Sequence, residues 1–128
     1  MGGYLLDTHA AIWFFNGDEL LSETARHTIL DLSNPKYISI VSAWELSIKI
    51  GLGRLDFDGK AAGFVHLAET NGFTVIPIKA PHLTTLESLP LIHRDPFDRL
   101  LVATAITEDM TLITADRNIT QYTVPYIW

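Results

Sequence analysis

The apolar positions of the chain fall into short unbroken runs that alternate with longer stretches of helical spacing. Tyr4–Asp7, Tyr37–Val41, Phe73–Ile78 and Thr111–Thr114 are runs of the first kind and read as strands, the third interrupted late by Pro77. His9–Phe15, Glu23–Leu32, a helix from Ser42 to the Gly51-Leu52-Gly53 stop, Gly59–Thr70, Pro81–Leu89 and Asp95–Glu108 read as helices. Turn chemistry separates them at Asn16-Gly17-Asp18, Ser33-Asn34-Pro35 and Asn71-Gly72, and Ser22 caps the second helix. Tyr122–Trp128 adds a terminal strand. Strands without polar alternation, each followed by a helix, predict a mostly parallel sheet covered on both faces. That is an α/β fold, a three-layer α/β/α sandwich. Residues 1–128 read as one domain, with no repeat, linker or low-complexity tract.

Composition narrows the class. At 48% hydrophobic residues the chain can build a real core, yet no apolar stretch reaches the roughly 18 residues of a membrane span. No basic region precedes the first apolar run, so the start does not read as a secretory signal. Met1-Gly2-Gly3 misses the myristoylation pattern, because Leu6 stands where Ser or Thr is required. The absence of cysteine excludes disulfides, thiolate metal sites and cysteine nucleophiles, and is compatible with a reducing cytoplasm, the expected location. A net charge of −6 argues mildly against nucleic-acid binding. Four of the fifteen acids, however, belong to a candidate site where a cation offsets their charge, and Arg94, Arg99 and Arg117 adjoin two of them.

Those four are Asp7, Glu45, Asp98 and Asp116. Asp7 and Asp116 close strand-like runs, at the carboxyl ends where parallel sheets bind ligands. Glu45 and Asp98 lie near the starts of apolar helices. Each has a structural rival role. Asp7 and Asp116 could cap the segments after them. Ser42 and Glu45 fit a capping box, and Lys49 stands four residues on for a surface pair. Asp95 is a good N-cap, with Arg99 four residues on as its expected tie, Pro96 at N1 and Asp98 at N3. Capping alone leaves unexplained why Asp98 shares a face with Leu101, Val102 and Ala105.

Taken together, the acids imply a cation. Two carboxylates ~4 Å apart repel by roughly 4 kcal/mol at an effective dielectric of 20. Oxygen-only ligands suit Mg²⁺ or Mn²⁺, and one use of such a site is phosphodiester hydrolysis. Thr114 could hydrogen-bond the cluster, and Arg94, Arg99 and Arg117 are candidate phosphate contacts. The five histidines lack paired ligand spacing and read as surface or packing residues. Trp13, Phe14 and Phe15 cannot all face one core, so part of this cluster is expected to bury against a partner.

A phosphoacceptor receiver domain shares the length and sheet type. It needs adjacent acids after its first strand and a lysine after its last, and neither is present. A haloacid-dehalogenase-like phosphatase wants Asp-x-Asp, whereas the chain reads Asp7-Thr8-His9. Leu5-Leu6-Asp7-Thr8-His9, Ser42 to Lys49, His93 to Ala103 and Leu112-Ile113-Thr114-Ala115-Asp116 together resemble the PIN-domain family, and within it the VapC-like toxins of toxin–antitoxin pairs. The Asp95-Pro96-Phe97-Asp98-Arg99 segment is the specific part, and the likeness spans essentially the whole chain. The resemblance implies a Mg²⁺- or Mn²⁺-dependent endoribonuclease acting on RNA. It carries over Asp7, Glu45, Asp98 and Asp116 as the acidic site, with Thr114 in support and Asp95 as a further contributor. It also implies a homodimer and a cognate antitoxin that obstructs the site. A PIN-like module that binds RNA or protein without cutting is the rival within the family.

Overall fold

The computed structural model describes residues 2–128; Met1, the first residue of the expected domain and of the myristoylation test, lies outside them. Five strands form one sheet: β1 (Tyr4–Leu6), β2 (Lys36–Ser39), β3 (Thr74–Ile76), β4 (Thr111–Ile113) and β5 (Tyr126–Ile127). Their order is β3-β2-β1-β4-β5, and every neighbouring pair is parallel. Seven helices complete the chain: α1 (Thr8–Asn16), α2 (Glu23–Leu30), α3 (Ile40–Gly51), α4 (Lys60–Thr70), α5 (Ala80–Ser88), α6 (Pro96–Glu108) and α7 (Arg117–Thr120). The expected three-layer α/β/α sandwich is the architecture found.

Adjacent residues of each central strand point into different layers, as strand geometry requires. Leu6 and Ile113 join Ala10, Ile29, Leu46 and Phe64 in one core, while Leu5 and Leu112 join Val41, Leu101, Val102 and Ile119 in the other. A continuous apolar run is therefore needed in β1 and β4, because neither face meets water. The sheet grows outward from β1 in both directions. Its topological switch thus lies between β1 and β4, and the crevice beyond their carboxyl ends is the expected ligand position.

Several boundaries differ from those the sequence suggests. The β2 run stops at Ser39, whose hydroxyl accepts from the Val41 amide and caps α3. The helix therefore starts at Ile40 instead of Ser42. Helix α2 ends at Leu30, because Asp31 accepts from the Ser33 amide and hydroxyl in a side-chain turn. The terminal strand shrinks to Tyr126–Ile127, and the short α7 precedes it. Trp13, Phe14 and Phe15 are half-buried, and all three pack against one core, which the sequence did not suggest. Phe14 and Phe15 pack edge-on against Phe73, Phe15 also against Phe64, and Trp13 against Trp128.

Candidate active site

The turn that ends each central strand sets down one acid. Asp7 follows β1 and caps α1, accepting from the Ala10 amide at 2.7 Å through Oδ1. Its Oδ2 accepts from Thr114 Oγ1 at 2.5 Å. Thr114, just past β4, also accepts from the Asp116 amide at 3.0 Å, so one hydroxyl ties the two strand ends together. Asp116 caps α7 by accepting from the Asn118 amide at 2.9 Å. Both capping roles exist, and they fix these carboxylates at the switch point.

Burial pushes the Asp7 carboxyl above its ordinary range. The hydrogen bonds from Thr114 and Ala10 and the nearby His9 oppose that shift, and the Asp116 charge adds to it. Asp7, His9, Trp13, Ala115 and Asp116 line a cavity of about 290 Å³.

Asp98 enters from α6. Asp95 is the N-cap, accepting from the Phe97 and Asp98 amides at 2.9 and 3.0 Å, and Pro96 begins the helix as expected. Beyond Asp98, Leu101, Val102 and Ala105 are all buried, so its helical face turns the carboxyl inward. Asp98 is raised to about 7, first by burial and then by the charge of Asp95; Asp116 and Glu45 push the same way, while a hydrogen bond with His93 opposes them. The charges of Asp116 and Glu45 thus reach Asp98, although the three acids come from separate elements.

Glu45 stands in the second turn of α3. With the cap at Ser39, the Ser42–Glu45 capping box does not form. Instead, Ser42 accepts from Thr8 Oγ1 at 2.9 Å, pinning α3 to α1 beside Asp7. The Lys49 pair does form, at 2.6 Å, but it is no surface pair, since the Glu45 side chain is only 3% exposed. Glu45 Oε1 is buried without a hydrogen-bond partner. Such an atom costs free energy unless something else satisfies it.

The donor set fits a hard divalent cation in kind: carboxylate oxygens, mutual repulsion, and one buried oxygen without a partner. Among the described residues, no three His, Asp or Glu side chains form a finished metal-ligand group. In this conformation the acids share a field rather than a closed coordination shell, and each of the four has a protein hydrogen bond.

The three candidate phosphate contacts separate. Arg94 and Arg117 are exposed. The Arg99 guanidinium instead donates to Pro90 O at 2.9 Å and to Tyr122 Oη at 3.0 Å. Its expected tie to Asp95 is a backbone one, from the Arg99 amide to the Asp95 carbonyl. Two residues near the site escaped the sequence reading. His93 contacts Asp98 through Nε2 at 3.2 Å, and Tyr122 contacts His93 Nδ1 at 2.9 Å. The position of His93 five residues before Asp98 was a signal; nothing local points to Tyr122, 29 residues away.

The PIN domain family model matches residues 4–124. The chain belongs to the PIN domain family. No curated protein matches it. Its fold is that of several solved assemblies of low sequence identity. VapBC2 from Rickettsia felis, bound to a promoter DNA fragment, is similar at 18% identity and a TM-score of 0.75, over 100% of this chain and 99% of that one. VapBC-1 from nontypeable Haemophilus influenzae is similar at 18% identity and 0.66, over 99% and 97%. A toxin–antitoxin complex from Klebsiella pneumoniae is similar at 17% identity and 0.66, over 98% and 96%.

Proposed function

We propose that this chain is a VapC-like toxin, a Mg²⁺- or Mn²⁺-dependent endoribonuclease that hydrolyses RNA phosphodiester bonds. One observation carries the reading: Glu45 Oε1 is buried without a hydrogen-bond partner, in a group of acids where the charges of Asp95, Asp116 and Glu45 all act on Asp98. A group of acids kept in one field at a sheet's carboxyl edge is costly to a fold and useful to a cation. Membership of the PIN family and the likeness to toxin–antitoxin assemblies support the same reading.

Asp7, Asp98 and Asp116 would hold the ion. When bound, it supplies Lewis acidity toward the scissile phosphate and offsets charge on the leaving 3′ oxygen. Glu45 Oε1, lacking a donor, accepts a hydrogen bond from the attacking water and orients it for in-line approach. Thr114 holds Asp7 in place, and Asp95 fixes the first turn of α6 beneath Asp98. Arg94 and Arg117 meet the flanking phosphates. The chain acts in the cytoplasm as a homodimer, restrained by a cognate antitoxin that covers the crevice. Among the described residues no helix is long and apolar enough to cross a membrane.

The test is cleavage of mixed cellular RNA by purified chain freed of any partner, with Mn²⁺, with EDTA, and with Asp7→Asn and Asp98→Asn in parallel. Products that need Mn²⁺ and vanish in both variants are expected. Retained cleavage in either folded variant would count against the assignment. A PIN-like module that binds without cutting is the second reading, favoured by the carboxylates' existing protein hydrogen bonds. Absence of Mn²⁺ binding would select it.

A further inference from the structure

We propose that Arg99, Tyr122 and His93 form a directional hydrogen-bond relay that orients the Asp98 carboxylate, with His93 as a positioning residue. The proposal rests on the reading of Asp98 as a site acid. It uses three side chains that the acidic site itself leaves unexplained.

The direction of the relay follows from counting protons. An arginine guanidinium has only donors. Arg99 donates to Tyr122 Oη at 3.0 Å and is itself anchored on the Pro90 carbonyl at 2.9 Å. The His93 backbone amide also approaches Tyr122 Oη, at 3.4 Å. With its oxygen facing two N–H donors, the single phenolic proton goes to the remaining partner, His93 Nδ1, at 2.9 Å. Nδ1 is then an acceptor, which leaves Nε2 as the ring nitrogen that carries a proton. Nε2 donates to Asp98 Oδ2 at 3.2 Å. Reversing the order would bring a third N–H donor to a phenolic oxygen that already faces two and leave the phenolic proton without a partner.

The parts are rigid. Tyr122 is 3% exposed and belongs to the α6-side core. Its ring packs against that of His93 with centroids 5.5 Å apart. Arg99 follows Asp98 on α6, so the helix carries both ends of the relay, while the loop before it and the segment after α7 supply the middle. With Oδ2 engaged by His93, Asp98 Oδ1 has no protein donor among the described residues. Outer groups of this kind orient ligand carboxylates, and their loss typically weakens metal binding or activity by about 10- to 100-fold.

The experiment uses the full chain freed of any partner, with His93→Ala, His93→Gln and Tyr122→Phe. Readouts are Mn²⁺ affinity by titration, RNA cleavage, the melting temperature in EDTA, and the His93 ring tautomer by nitrogen NMR. His93→Ala is expected to weaken Mn²⁺ binding about tenfold or more. His93→Gln, whose amide offers a donor in place of Nε2–H, recovers most of that loss. Tyr122→Phe loses severalfold and raises the Nδ1–H tautomer. Wild-type Mn²⁺ affinity in both His93→Ala and Tyr122→Phe, beside its loss in Asp98→Asn, would overturn the relay. If wild-type chain binds no Mn²⁺, the nuclease reading fails, and the tautomer alone decides the relay: Nε2–H supports it and Nδ1–H overturns it.

Discussion

Thr114 Oγ1 donates to Asp7 Oδ2 at 2.5 Å, a bond between residues 107 positions apart that joins the ends of two neighbouring strands. Both groups are buried. Thr114→Val keeps the shape and removes the donor, leaving a buried carboxylate short of one partner. A loss of about 1–3 kcal/mol in stability is expected, with Thr114→Ser recovering most of it. Equilibrium denaturation of both variants checks this. Equal stability of Thr114→Val and wild type would mean that water replaces the hydroxyl.

Stability should fall with rising pH in the absence of metal. Burial and neighbouring acids raise Asp98 to about 7 in the folded chain, from 3.8 for the same group in water. Between those values the folded state keeps a proton that the unfolded chain has released, so folding loses free energy as pH climbs from about 4 to about 7. The Asp7 carboxyl, also raised, contributes with the same sign. Asp98→Asn cannot ionise and should be more stable than wild type at pH 8 by about 1–2 kcal/mol, below the full linkage value because the carboxyl is partly solvated. Melting curves in EDTA from pH 4 to 8 test it, and parallel profiles for the two proteins would refute it.

Lys49 shields Glu45 within the fold. The pair is 2.6 Å long, with the carboxylate side chain almost wholly buried and the ammonium partly exposed. Lys49→Met leaves a buried charge unpaired and should cost about 1–3 kcal/mol. Adding Glu45→Gln removes that charge and should restore most of the stability, so the two substitutions are strongly non-additive. Glu45→Gln alone is expected to abolish cleavage while keeping the fold. A cycle whose effects simply sum would deny the coupling.

Gly3 fixes the approach to β1. Its φ is +90°, and a Cβ there would stand 2.7 Å from Pro35 O and 2.9 Å from the Tyr37 ring. The same Pro35 carbonyl accepts the Tyr4 amide at 2.9 Å, which aligns β1 on β2. Gly3→Ala is therefore expected to destabilise by about 1–3 kcal/mol. A calorimetric melt reads it directly, and an unchanged midpoint would show that the 34–36 turn yields without cost.

Arg117 tests the substrate class. It is exposed on the first residue of α7, next to Asp116. If it meets one phosphate of single-stranded RNA, Arg117→Ala should lower the slope of log affinity against log salt by about 0.7. Binding titrations on the inactive Asp98→Asn chain at several salt concentrations give that slope. An unaltered slope would remove Arg117 from the interface.

The fold class was legible because its causes are local. Unbroken apolar runs such as Leu5-Leu6 and Leu112-Ile113 have no polar alternation, and only strands covered on both faces tolerate that. Pro96 after Asp95 marked the start of α6, since a capping carboxylate and a fixed φ act within one turn. Asp7 and Asp116 could be placed at strand ends for the same reason. Convergence was not local. Glu45 looked like one arm of a capping box until Ser39 took the cap, and its burial beside Lys49 depends on how α3 packs. His93 looked like a surface or packing residue because its partners, Asp98 and Tyr122, are brought to it by different elements. Arg99 looked free for phosphate because Tyr122 Oη and Pro90 O meet it only in the folded chain. Periodicity and turn chemistry act over a few residues and can be read along a line; hydrogen-bond direction, burial and shared electric field depend on distances in space, which packing alone sets.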